Sequence, residues 1–287
     1  MKPLARGLSW SIGDIAVTSV VELDLHWKIG RFLLGATPET VASMSWLAPY
    51  LDENPEWFPL RIQTLIVETP TKRILVDTCV GNGKERGFRD FDGLDTPFLD
   101  DMIAAGFEPG SIDIVLCTHL HLDHVGWNTQ LVDGRWVPTF PNARHLFARV
   151  EYDHWMKADD DFTVSLLADS ITPVVEAGLV HFVQLDHNVT EGVDLIPTTG
   201  HTPGHVSVQL TSGGETAVII GDMTHHPIQI GRPAIASTAD VDPDASTATR
   251  IERFAQWCEE GTLVIGTHFA PPTAGHLVTD GEAWRLT

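Results

Sequence analysis

Positive charge is scarce in this chain: 18 Lys and Arg stand against 39 Asp and Glu over 287 residues, a formal net charge of −21. A surface that acidic repels phosphate backbones and anionic membranes, so neither nucleic acid nor a lipid surface is an expected partner. No appended basic stretch or RNA-binding motif offsets that repulsion. Long apolar runs are also missing. None approaches the roughly 18 uninterrupted residues needed to cross a bilayer, and the N-terminal MKPLARGLSWSIGDIAV shows no apolar run followed by a small-residue cleavage site. A soluble, cytoplasmic location is therefore expected. Cysteine is equally rare: Cys79, Cys117 and Cys258 are an odd count, widely spaced and set in apolar contexts. A disulfide framework is not expected from such a set, which suits a reducing compartment. No fixed-period repeat and no low-complexity tract is visible.

What the chain does have is a core and a wealth of histidine. At 43% hydrophobic, its length supports one large domain, expected over 1–287, with an irregular aromatic-rich arm at about 26–60. Residues 14–25, 61–69 and 72–78 are rich in β-branched residues and read as strands. The arm between the first two, with its proline spacing and polar interruptions, reads as neither strand nor long helix. Thr96 to Phe107 has helical spacing, and the nearly continuous apolar run at 112–119 predicts a strand buried on both faces. Further strands are expected at 143–149, in VDLIPTT, HVSVQLT and ETAVIIGD, and at 262–268, with helices near Trp155, at 163–177 and at 244–260. Strands interleaved with helices in two successive blocks predict an α/β architecture with helices outside two sheets.

Fourteen histidines is a high count, and several cluster. The densest string is Thr118-His119-Leu120-His121-Leu122-Asp123-His124, where the buried strand ends. In extended chain His119 and His121 point to the same side, because side chains alternate with period two, so both imidazoles can reach one ion. Asp123 and His124 fall where the chain turns toward Gly126 and can face a second. Imidazole and carboxylate are both good zinc ligands. A lone histidine in a core needs no metal; four donors in an HxHxDH pattern need a common acceptor. His201 in GHTPGH, Asp222 in GD and His268 in TH each follow another strand-like run, at the end where α/β architectures commonly place their sites.

The HxHxDH string followed by GHTPGH, GD and a terminal TH resembles the metallo-β-lactamase superfamily, over about Thr64 to His268. That resemblance implies a four-layer αββα sandwich and a binuclear metal site. By it, His119, His121 and His201 would hold one metal, Asp123, His124 and His268 the other, and Asp222 would bridge the pair. Asp77 in LVDT would be a buried carboxylate supporting the ligand loop. Zinc is the default for such donors, with manganese, iron or cobalt as alternatives. Two adjacent cations lower the pKa of a shared water toward neutrality, which makes a metal-bridged hydroxide the expected nucleophile, with Asp222 and Asp123 as its catalytic carboxylates. His205 reads instead as the brace of its turn.

His225, three residues after Asp222, is the candidate for supporting the oxyanion or protonating the leaving group. The acyl-homoserine lactonases of this superfamily carry tyrosine there, so His225 is a departure from them; the alternative is that His225 and His226 simply stack beside Pro227. Trp46, Tyr50, Trp57 and Phe58 of the arm, and Trp127 past the ligand string, could line an apolar pocket together with His226. They could equally be packing residues or a homodimer interface. The arm, the VGNGKERGF turn and GHTPGH look most like the lactonase and methyl parathion hydrolase branch. That implies hydrolysis of a lactone or carboxylic ester of an apolar small molecule, with an organophosphate triester, or a thioester as in glyoxalase II, as alternatives. A lactone or ester ranks first because so acidic a chain offers no obvious cationic clamp for phosphate. The non-hydrolytic alternative is a redox or ligand-binding member of the fold. Against it, the flavodiiron pattern would put Glu in place of His121, and a binding-only role would predict lost ligands, whereas all seven are present.

Overall fold

The computed structural model describes residues 7–287; the first six positions of the expected 1–287 domain lie outside them. The chain divides into two compact units, one built mainly from 6–23 and 62–184, the other from 24–61 and 185–287.

The first unit centres on a seven-stranded sheet in the order Ser9–Ile12, Ile15–Lys28, Trp57–Glu68, Arg73–Val76, Ile114–Leu116, Arg144–Ala148, Val180–Val183. Trp57–Glu68 meets Arg73–Val76 antiparallel, and the next three pairings are parallel. Ile114, Val115 and Leu116 are all buried, as a parallel strand covered on both faces requires. The expected helix near 96–107 is Phe98–Ala104. The one expected over 163–177 is broken into Asp161–Leu166, a π-turn at Leu167–Ile171 and Thr172–Glu176, with Pro173 opening the last piece.

The second unit holds another seven-stranded sheet, ordered Asn188–Thr190, Val193–Pro197, Val206–Ser212, Glu215–Ile219, Leu263–Ile265, Ala274–Asp280, Ala283–Leu286. Its single parallel pair, Glu215–Ile219 with Leu263–Ile265, is joined through the helix Pro243–Glu260. That helix starts where Asp242 caps the Ala245 amide with Pro243 at the first turn, and it ends at Gly261, whose φ of +67° no β-carbon penalises. Ser246, Arg250, Phe254 and Trp257 recur every three or four residues and form its buried stripe. Phe254 and Trp257 enter a core with Val218, Ile220, Val264, Phe269 and Leu277.

The arm is more regular than its sequence suggests. Ile15–Lys28 runs into it, short helical turns cover Ile29–Phe32, Pro38–Ala42 and Ser45–Tyr50, and Trp57 and Phe58 already belong to a strand. The hairpins Thr129–Val132 with Arg135–Pro138 and Ala274–Asp280 with Ala283–Leu286 were not expected. Their turns, Asp133-Gly134 and Gly281-Glu282, carried the signal, and Asp133, Gly134 and Gly281 all have positive φ. No described helix is long and apolar enough to cross a membrane.

Candidate metal centre

In the first unit the buried strand Ile114–Leu116 delivers Thr118 to His124. His121 is still extended, at φ −74° and ψ 162°, and begins the short helix Leu122–Val125. The rings of His119 and His121 lie 4.6 Å apart, as alternation in extended chain demands, and the helical turn then swings His124 to 4.1 Å from His119. Asp123 Oδ1 lies 3.7 Å from His124 Nε2. Asp77, reached from Arg73–Val76, anchors the group. Its carboxylate accepts from the Thr118 amide at 2.7 Å and from the Thr118 hydroxyl, and lies 2.9 Å from His124 Nδ1. The Thr118 hydroxyl lies in turn 3.1 Å from His119 Nδ1. Glu151, which sequence reasoning missed, accepts from the Leu120 amide and from the Trp155 indole, whose ring packs 5.2 Å from His121. An acid one helical turn before a tryptophan was the available sign.

In the second unit three strand ends bring His201, Asp222 and His268 together. His201 follows Gly200, whose φ is +128° and where a β-carbon would lie 2.2 Å from the Ser246 backbone, so only glycine lets the helix 243–260 close on the turn. Asp222 sits in a tight turn after Glu215–Ile219. Its carboxylate lies 2.9 Å from His268 Nε2, 3.4 Å from His201 Nε2 and 3.1 Å from His225 Nε2. The Asp222 amide donates to His205 Nε2 at 2.8 Å, which places the His205 proton on Nδ1, beside the Thr198 carbonyl. His205 is thus a brace, as expected.

Three of the donor imidazoles have an acceptor close behind Nδ1. His201 Nδ1 lies 2.9 Å from Asp240 Oδ1, His268 Nδ1 is 2.7 Å from the Arg61 carbonyl, and His124 Nδ1 meets Asp77. An imidazole whose Nδ1–H is so engaged turns the Nε2 lone pair forward. In His201 and His268 that lone pair then faces a carboxylate, two acceptors toward each other, and a cation between them resolves the repulsion. The donor set therefore fits a divalent metal.

Asp240 was not recognised in the sequence. Burial alone would raise its carboxyl, yet the His201 hydrogen bond, the charges of His225 and His201 and the Ser237 amide hold it well below the ordinary carboxylate range. The buried Arg250 guanidinium stands 3.8 Å away.

His225 is buried, its ring parallel to His268 at 5.8 Å and edge-on to Phe32 at 4.9 Å. Burial pushes its pKa down; Asp222 opposes that, while His201 and His268 add to it. The other expected contacts divide. Phe58 is buried against His226, at 5.1 Å, and near Phe32. Trp57 lies under Lys28, and Trp46 packs on the core of the second unit. Two residues expected to touch substrate have inward partners. Trp127 donates from its indole to Glu22 and stacks on Phe98, and His226 is pinned at both nitrogens, to the Tyr50 carbonyl and the Ile228 amide. With every polar atom of these two rings already engaged inside its own unit, neither is placed as an open wall. Phe32 was missed, since a lone aromatic in a short arm helix carries no distinguishing pattern.

Fold and donor chemistry together describe a metal-binding α/β protein with strand-end histidines. The metallo-beta-lactamase superfamily profile matches residues 57–278, and the chain belongs to that superfamily and has its fold. An N-acyl homoserine lactonase of Rhizobium radiobacter is 32% identical over 195 residues, 65% of each chain. One from a Bacillus species is 25% identical over 177 residues, 58% of this chain and 64% of that one. The chain thus spans less than two thirds of the length of these relatives. Among solved structures, the hydrolase AbOPH of the beta lactamase superfamily superposes with a TM-score of 0.80 at 27% identity, covering 100% of this chain and 99% of that one. The dizinc quorum-quenching lactonase AidC gives 0.79 at 20% identity, covering 99% and 97%, a likeness of fold.

Proposed function

We propose that the protein is a binuclear metal-dependent hydrolase, with residues 1–287 acting as one catalytic domain, that opens a lactone or carboxylic ester of an apolar small molecule. His119, His121, His201 and Asp222 would hold one metal and Asp123, His124 and His268 the second, with Asp222 shared. The observation that carries this reading is the engagement of His201 and His268 at Nδ1, which aims each Nε2 at the Asp222 carboxylate. The relatives named as N-acyl homoserine lactonases support the substrate class.

When bound, a divalent pair polarises the attacked carbonyl and makes water acidic enough to be deprotonated near neutral pH. The chain's residues do the rest. Asp222, held by the His205 brace, keeps its carboxylate between His201 and His268. Neutral His225 has one N–H, which faces the Asp222 carboxylate at Nε2; it would act by passing that hydrogen bond to the substrate oxygen, its backbone tied to Gln229 and its ring walled by Phe32. Water adds to the carbonyl carbon, the ring or ester C–O bond breaks, and the departing oxygen takes a proton, leaving a hydroxy acid or an acid and an alcohol. Phe32, Trp57 and Trp46, each partly exposed, would supply the apolar surface of the arm, with the buried Phe58 packed behind Phe32. Zinc as the metal, a homodimer through the arm and a cytoplasmic location complete the proposal; the last is supported by three free cysteines.

Elemental analysis of freshly purified protein is expected to find about two equivalents of transition metal. Chelation should abolish hydrolysis and zinc restore it. On a panel of N-acyl homoserine lactones, alkyl and aryl esters, thioesters and phosphotriesters, lactones and esters should turn over fastest. Protein that carries no metal and stays inert after supplementation overturns the reading; a preference for phosphotriesters keeps the metal centre and replaces the substrate.

A further inference from the structure

Glu22 lies on the strand Ile15–Lys28, about a hundred residues before the ligand string, and is buried at 4% exposure with no cation against it among the described residues. Its carboxylate is instead surrounded by donors. Oε2 accepts from the Val80 amide at 2.7 Å, and Oε1 from the Trp127 indole at 2.7 Å, the Gly81 amide at 3.2 Å and the Thr96 hydroxyl at 3.2 Å. A buried carboxylate costs several kcal/mol unless its lone pairs are met, and these four donors meet them.

Three of the donors, Val80, Gly81 and Trp127, belong to two segments that the ligand site needs in register. One is the loop 77–81, which begins with Asp77; the other is 124–128, which begins with His124. Backbone bonds lace them together: the Thr78 amide to the His124 carbonyl at 2.8 Å, the Gly126 amide to Cys79 at 2.8 Å and the Trp127 amide to Thr78 at 2.7 Å. The approach is so close that a β-carbon on Gly126 would lie 1.7 Å from the Val80 carbonyl oxygen. Asp77 and Cys79 both hold positive φ, +60° and +49°, a conformation that is strained for non-glycine residues and persists only where the surroundings impose it. Glu22 grips the loop just after those two residues, at Val80 and Gly81, and grips the other segment through Trp127.

We infer that Glu22 is a positioning residue for the metal site that contains His124: by clamping Val80 and Gly81 to Trp127 it sets the 2.9 Å contact between Asp77 and His124 Nδ1. The inference rests on the proposed metal centre. Glutamine in its place keeps the shape but turns an NH₂ toward donors, so part of the clamp is lost and Asp77 loosens. Because the clamp acts on the loop behind His124 and not on the His201 turn, it discriminates between the two metals.

The test is competition between the full-length protein and a chromophoric chelator for Zn²⁺, in wild type, Glu22→Gln and Trp127→Phe, with melting temperature followed alongside. Wild type is expected to show two affinities. Glu22→Gln should weaken one of them about tenfold to a hundredfold, the usual scale for groups that orient metal ligands, while leaving the other within about threefold. Trp127→Phe removes a single donor and keeps the stack on Phe98. It should weaken the same affinity by a smaller factor. Equal affinities in all three proteins, or equal weakening of both metals in step with melting temperature, overturns the role of Glu22. Absence of Zn²⁺ binding in wild type overturns the metal centre itself, so the two failures are distinguishable. If Glu22→Gln does not fold, Trp127→Phe decides alone by whether one affinity falls and the other holds.

Discussion

His201 Nδ1 and Asp240 Oδ1 lie 2.9 Å apart inside the second unit, both side chains fully shielded from solvent. Asp240 is itself oriented by the Ser237 amide and hydroxyl. This pair fixes the tautomer of a proposed metal ligand from outside the ligand set. Asp240→Asn should therefore weaken metal binding and lower kcat/KM, each by about tenfold to a hundredfold. Chelator competition and steady-state kinetics check this; unchanged affinity would reduce Asp240 to a packing role.

His225→Phe keeps the ring stacked on His268 and removes its hydrogen bond to Asp222. If His225 supports the developing oxyanion, kcat falls by about a hundredfold or more while metal content and KM stay close to wild type. A rise in KM with kcat intact would make it a wall of the binding surface instead.

Two buried histidines should make the protein lose stability as pH falls below about 6.5. Burial pushes the His145 and His226 imidazoles down to about 4 from 6.5. As pH falls through 6.5 the unfolded chain takes up these protons and the folded one does not, so stability drops from pH 6.5 to about 4 and levels off below. The loss amounts to about 3 kcal/mol for each group by pH 4. Melting temperatures across that window, compared with those of His145→Leu, should show a shallower slope in the variant. Parallel slopes would place the acid sensitivity elsewhere.

Gly200→Ala should be among the most damaging single changes. The added carbon meets the Ser246 backbone at 2.2 Å in a conformation, φ +128°, that only glycine holds easily. A loss of at least about 3 kcal/mol is expected, read by denaturant unfolding. A near-neutral effect would show that the His201 turn can shift away from the helix 243–260.

The HxHxDH string was legible because its spacing is local: alternation in extended chain and one helical turn are enough to bring His119, His121 and His124 within a few ångströms. The helix 243–260 was legible within a residue because its cap, its buried stripe and its terminal glycine all agree. The arm at 26–60 was read as irregular because its regular pieces are each only a few residues long, too short for any period to register. Asp240, Glu22 and Phe32 left no trace, since one acid or one aromatic among many has no pattern until the chain folds around it.

The sequence by itself determined the class of chemistry, through donor types and their spacing along strand ends, and the superfamily that such a pattern marks. Only the tertiary structure decided what orients those donors. Asp240 behind His201 and the Arg61 carbonyl behind His268 come from segments 39 and 207 residues away; for Asp77, already marked by the resemblance as support for the ligand loop, the fold decided that it faces His124 Nδ1. Spacing encodes contacts made along one strand or turn, whereas the acceptor behind an imidazole is chosen by packing, which brings together residues that share no local pattern.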